Sequence, residues 1–173
     1  MTISNDMPPP PSGSEGEGAT PDLRFLLAHP AHFLALGFGA GLSPYAPGTA
    51  GTLVGFPLYW LLSGAPFYWA WIGLFLVVGV WASDVAGRAL GVPDHGGIVW
   101  DEVAGFLMVL PFAPISLVGY VLAFILFRLF DIWKPFPIGW ADAHVPGGLG
   151  VMLDDVLAAV YAIGVLLVVA RWL

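Results

Sequence analysis

Apolar residues in this chain come in runs rather than in strict alternation, and short polar islands part the runs. A mixed stretch over 22–40 carries His29, Pro30 and His32 and predicts a short interfacial helix or two broken ones, with the histidines facing the interface. Turn formers crowd 39–52, and a helix is expected from about 51 to 62, kinked or broken near Pro57. Ser63-Gly64-Ala65-Pro66 turns the chain. The run over 67–81 extends toward Leu90 and approaches the roughly twenty residues a bilayer requires, with Trp69, Trp71 and Trp81 fitting an aromatic belt. Further spans are expected over 115–133 and 151–173. Between them, 98–111 is shorter than a full span and carries Asp101 and Glu102, which suits a short or tilted helix buried among the others. The fold class is therefore all-α: a small polytopic membrane helical bundle with short or broken helices.

Composition sharpens this picture. Of 173 residues, 58% are hydrophobic and 10% charged, whereas soluble domains carry about 25% charged residues. A soluble protein with a mean hydropathy of +0.86 would expose large apolar patches. The absence of cysteine removes thiolate nucleophiles, disulfides and thiolate metal sites. The net charge is -7, and Asp6, Glu15 and Glu17 lie in the first twenty residues. Residues 1–21 are rich in Pro, Gly and Ser and read as a disordered polar tail; 22–173 form one membrane domain. The tail lacks the basic and apolar regions of a signal peptide, so insertion by internal helices is expected, with the tail in the cytoplasm. No basic stripe exists, which argues against nucleic acid as a partner.

The polar islands are Asp94-His95-Gly96 through Asp101-Glu102, then Arg128 to Lys134, then Asp142, then Asp154-Asp155. Alternation of the spans brings all of them to one face, opposite the uncharged turns 63–66 and 111–114. Arg88, Arg128 and Lys134 place that face in the cytoplasm, with Arg171 voting the other way. Ionised groups at a membrane are costly, so such a cluster marks a functional site. Asp101 and Glu102 at a helix start serve either as caps or as ligands of one hard cation. Arg128, Asp131 and Lys134 are three apart, giving one polar stripe on a helix: an internal salt-bridge ladder, or an aspartate ligand or nucleophile beside two phosphate-binding cations. Gly147-Gly148-Leu149-Gly150 reads as a loop opening onto a helix with Asp154 and Asp155 in its first turn; its free N–H groups favour an anion, and a bridging cation reconciles that anion with the acids. The Ala46-Pro47-Gly48-Thr49 turn is a helix start that either caps or binds phosphate, without the Gly-Lys-Ser/Thr of a P-loop. His95 is either a solvated loop residue or a general acid.

Taken together, the islands resemble the phosphatidylglycerophosphatase A family, from about Gly37 to Gly164. The resemblance is carried by Gly41-Leu42-Ser43-Pro44 with Ala46-Pro47-Gly48-Thr49, Asp94-His95-Gly96 with Ile98-Val99-Trp100-Asp101-Glu102 and Gly105, and Phe127-Arg128 with Asp131-Ile132-Trp133-Lys134-Pro135. It continues through Pro137-Ile138, Asp142, Gly147-Gly148, Gly150 and Asp154-Asp155. It implies magnesium-dependent hydrolysis of the terminal phosphomonoester of phosphatidylglycerophosphate at the bacterial cytoplasmic (inner) membrane, by a multi-pass protein whose active site faces the cytoplasm. On that reading Asp101, Glu102, Asp131, Asp154 and Asp155 are metal ligands, and Asp101, Glu102, Asp131 and Lys134 form the catalytic group. Thr49, His95, Arg128 and Lys134 meet the substrate phosphate; Asp94 and Asp142 are further candidates. Gly139, Ala143 and His144 stand where relatives commonly carry basic residues; either phosphate recognition shifts onto Lys134, Arg128 and His95, or those basic residues serve only to bind lipid head groups. The competing class is a small membrane cation channel or transporter, since carboxylates in membrane helices also mark ion pathways. A structural membrane subunit leaves the acid pairs unexplained, and a phosphatidyltransferase would require an Asp-Gly-x-x-Ala-Arg motif that the chain lacks. Oligomeric state is left open.

Overall fold

A computed structural model describes residues 19–169 and Arg171, and the described residues are helical with no strand. Most of the expected polar tail over 1–21, and the last residues of the expected 151–173 span, lie outside them. The 22–40 stretch forms two short helices. α1 (Leu23–Ala28) is capped by the Asp22 carboxylate, which accepts from Phe25 N at 2.8 Å. α2 (Pro30–Ala35) has proline at its first position and His29 as its cap, Nδ1 accepting from Ala31 N at 3.1 Å. The expectation of interface-facing histidines fails at His32. It is buried, stacked on Phe25, and its Nδ1 donates to Phe25 O at 2.9 Å. A 3-10 segment (Gly37–Leu42) leads to α3 (Pro47–Leu62).

Two boundaries differ from expectation. α3 starts at Pro47, four residues before the expected start at 51, because proline suits the first helical position. It also runs through Pro57 without interruption, held by close packing on α5 (Trp100–Val109). A Cβ at Gly51 would meet Val99 at 2.6 Å, and one at Gly55 would meet Phe106 at 2.8 Å. Small residues admit such close helix approach where no hydrophobic drive separates helix from lipid.

α4 (Tyr68–Leu90), α6 (Leu117–Trp133) and α8 (Gly147–Val169) form the long scaffold. α4 and α8 are long and apolar enough to cross a membrane. α5 lies at the centre between α3, α4 and α8, as its mixed sequence suggested, and Trp100, Val103, Ala104, Phe106 and Leu107 are all buried. Its start is level with the middle of α4: Trp100 Nε1 donates to Phe75 O at 3.0 Å. Its far end meets the start of α4, where Tyr68 OH donates to Leu107 O at 2.6 Å. Ile125, Leu129 and Ile132 on α6, and Leu74, Val77 and Trp81 on α4, remain exposed on the outside, the pattern of a small helical membrane bundle.

α7 (Ile138–His144) was not anticipated, since Pro135 and Pro137 signal only an ending. The glycines at 147–150 are the first turn of α8 itself, not a loop before it. Asp154 and Asp155 therefore stand in the third turn, and the expected glycine-loop anion site beside them does not form there. Gly148 instead lets α8 press on α4, where a Cβ would collide with Val80 O and stand 2.8 Å from Asp84 N.

Candidate active site

Four helix segments deliver charged side chains to one end of the bundle. α5 contributes Asp101 and Glu102 from its first turn, as expected. α8 contributes Asp154 and Asp155, held against α5 by the close approach of Gly105 to Asp155 O. One oxygen each from Asp101, Glu102 and Asp155 lie within 4.8 Å of one another, a spacing that could hold one cation. Asp101 is 8% exposed and Asp155 1%. Among the described residues Asp101 Oδ1, Glu102 Oε2 and both Asp155 oxygens have no hydrogen-bond partner. A buried polar atom without a partner is costly, and a buried charge more so.

The cations flank this triad. Arg128 Nη1 bonds Asp131 at 2.5 Å, one helical turn away, and Glu102 Oε1 at 3.4 Å. Gly48, in the first turn of α3, lies directly over this pair. A Cβ there would collide with Glu102 Oε1 and stand 3.1 Å from the Arg128 guanidinium nitrogens. Thr49 is half-buried beside it. The proximity of Gly48 is invisible in sequence beyond the Pro-Gly-Thr signal of a helix start.

The expected stripe breaks at Lys134. This residue caps α6 in the left-handed conformation (φ 45°), so its side chain leaves the helix face of Arg128 and Asp131. It donates instead to Asp142 at 2.8 Å and Asp154 at 2.7 Å, joining α7 to α8. Burial opposes its charge, but the Asp142 and Asp154 carboxylates outweigh this and hold the ammonium above the usual lysine range. Asp94 stands in the same field. Partial desolvation pushes its carboxyl up, with Asp142 and Asp131 adding to the effect and Lys134 working against it. A groove of about 240 Å³ between Asp94, Asp142 and His144 opens beside this second cluster.

His95 does not join the acids. Its Nδ1 accepts from Gly97 N at 3.0 Å, which organises the loop ahead of α5, and no ion pair among the described residues links it to the cluster. His144 is turned to its own helix, Nδ1 donating to Trp140 O at 2.8 Å.

A largely buried carboxylate triad flanked by an arginine and a lysine suits a phosphate ester, and comparison with known proteins identifies the group. The description Phosphatidylglycerophosphatase A matches residues 33–170. The chain belongs to the phosphatidylglycerophosphatase A family. It is 42% identical over 146 residues to Phosphatidylglycerophosphatase A of Escherichia coli, covering 83% of this chain and 85% of the relative. It is 43% identical over 155 residues to the Haemophilus influenzae protein of the same name, covering 87% and 94%. It is also 40% identical over 149 residues to a Putative phosphatidylinositol-3-phosphatase of Bacteroides thetaiotaomicron, covering 80% and 92%. No solved structure is significantly similar to the chain. Family membership makes it a phosphatase, a hydrolase of phosphatidylglycerol metabolism.

Proposed function

We propose that the chain hydrolyses the terminal phosphomonoester of phosphatidylglycerophosphate to phosphatidylglycerol and phosphate, with magnesium held by Asp101, Glu102 and Asp155. The observation that carries this reading is the carboxylate triad beside Arg128, with Asp101 and Asp155 buried, Glu102 partly so, and unpartnered oxygens on all three. The all-oxygen donor set and the spacing of the three carboxylates within 4.8 Å would suit a hard divalent cation such as magnesium. When bound, the ion supplies charge neutralisation at the phosphoryl group and lowers the pKa of an attacking water. Arg128, already anchored by Glu102 and Asp131, turns its guanidinium to the non-bridging phosphoryl oxygens. Asp131 accepts the proton of the water as its oxygen bonds to phosphorus. The ester P–O bond breaks, and the glycerol oxygen takes up the proton that Asp131 received, passed on through water. Lys134 keeps Asp154 and Asp142 in place beneath the site, and Thr49 and the backbone at Gly48 border the phosphate. His95 orders the loop ahead of α5, through the bond its Nδ1 accepts from Gly97 N.

The same reading puts the chain in the bacterial cytoplasmic membrane as a multi-pass protein, with the acidic end toward the cytoplasm. Arg88, Arg128 and Lys134 at that end support this orientation, and exposed apolar faces on α4 and α6 support contact with lipid. An ion pathway is disfavoured because the acids gather at one end of the bundle.

The test is phosphate release by the purified full chain in detergent micelles, from phosphatidylglycerophosphate and separately from phosphatidylinositol 3-phosphate. Release from the first, abolished by a chelator and restored by magnesium, is the expected result. Chelator-resistant release would remove the metal from the mechanism. A preference for the second lipid would move the chain to the substrate named for its Bacteroides relative.

A further inference from the structure

α3 packs on α5 and α6 packs on α8, so α3 and α6 stand as the two jambs of a slot. At the far end the slot is closed by Phe56 and Tyr59 of α3 against Tyr120 of α6, with ring centroids 6.2 and 6.5 Å apart. At the near end Gly48 lies over the Arg128 guanidinium. Phe106 of α5 forms the floor, in edge contact with Phe56 at 5.0 Å and Phe124 at 6.0 Å. On the outer face of α6 alone, Phe124, Ile125, Arg128, Leu129, Ile132 and Trp133 line a shallow, open groove of about 720 Å³. Ile125 is 54% exposed and Leu129 48%.

Arg128 is the one charged residue of that lining, and it is the same arginine that bonds Glu102 and Asp131. The groove therefore borders the acid cluster at Arg128. An apolar track with one embedded cation is complementary to an anionic lipid: hydrocarbon along the track, phosphate at the arginine. A water-soluble phosphate ester would gain nothing from Ile125 or Leu129.

We propose that this outer face of α6 is a lateral port: one acyl chain of the phosphomonoester lipid lies along Ile125 and Leu129 while its head group passes Arg128 to the Asp101–Glu102–Asp155 triad. The proposal rests on the phosphatase reading above and adds the route by which a bilayer-resident substrate reaches the site.

The test compares phosphate release from long-chain phosphatidylglycerophosphate and from its deacylated, water-soluble counterpart. Ile125→Trp and Leu129→Trp, which fill the groove, should lose about tenfold or more in kcat/KM on the long-chain lipid and less than about twofold on the deacylated ester. Equal losses on both substrates, or none on the long-chain lipid, overturn the port. A second measurement does not depend on turnover. The chain has no cysteine, so Ile125→Cys and, as a control on α8, Val160→Cys can each carry one fluorophore. A nitroxide on the acyl chain of the phosphomonoester lipid should quench position 125 more than position 160, and more than the same nitroxide on a choline lipid does. Equal quenching overturns the proposal, as does disulfide formation between two chains at position 125, which would assign this face to a dimer. Failure of the unaltered chain to release phosphate from either substrate would defeat the phosphatase reading and leave the port to be decided by quenching alone.

Discussion

Asp155 is the most enclosed acid in the molecule's site, and neither of its oxygens has a partner. Stability and function pull in opposite directions at such a position, because a buried unpaired carboxylate costs free energy that only a bound ligand offsets. Asp155→Asn should lower phosphate release by about a hundredfold or more, while the melting temperature of the metal-free chain in micelles stays level or rises. A parallel fall in both would make Asp155 structural. Lys134 behaves oppositely. Its ammonium is held above the usual lysine range by Asp142 and Asp154, so the unfolded chain loses this proton first as pH rises. Its stabilisation is fully present below the ordinary lysine pKa of about 10.4 and is lost as pH climbs through the folded-state value. The gap in melting temperature between the unaltered chain and Lys134→Met should therefore be flat from about pH 8 to about pH 10 and narrow above that.

Among the helices, the sequence revealed more about which segments are apolar than about where they begin. α5 was legible because two acids opening a short apolar run have few other places to go, and α4 and α6 because long runs between turns define themselves. α7 was hidden by Pro135, Pro137 and Gly139, which signal an ending while the residues after them supply one more turn. Gly147 to Gly150 misled in the same way. Glycine-rich sequence marks a loop in water, yet in this bundle it marks the contact that seats α8 on α4. Lys134 was assigned to the stripe of Arg128 and Asp131 by its spacing, and only the left-handed cap redirects it. The α4–α8 contact yields its own expectation. At Gly148 an added methyl would strike the backbone of Val80, which cannot move aside cheaply. Gly148→Ala should destabilise the chain by about 1–3 kcal/mol, measured by denaturant titration in micelles. Gly64→Ala, with open space around it, should be silent.

For the whole molecule, the convergence of the polar islands was readable from alternation alone, since each apolar run reverses the chain. What alternation leaves open is which face meets the cytoplasm. Single cysteines at Ser63 and Gly96, both exposed and at opposite ends of the bundle, answer this in a cysteine-free background. In intact spheroplasts an impermeant thiol reagent should modify Ser63→Cys, and should reach Gly96→Cys only after permeabilisation. The reverse pattern would turn the acids outward.

The brevity of α5 has a consequence for the surroundings of the protein. Ten residues rise about 15 Å, roughly half the hydrocarbon thickness of a bilayer. The carboxylates at its head ride on a helix too short to cross a bilayer, so a phosphate that reaches them has to pass the ends of the longer α4 and α8. A lipid that delivers its head group there would have to dip toward it. A thicker host membrane makes the dip steeper, which turns membrane thickness into a throttle on turnover.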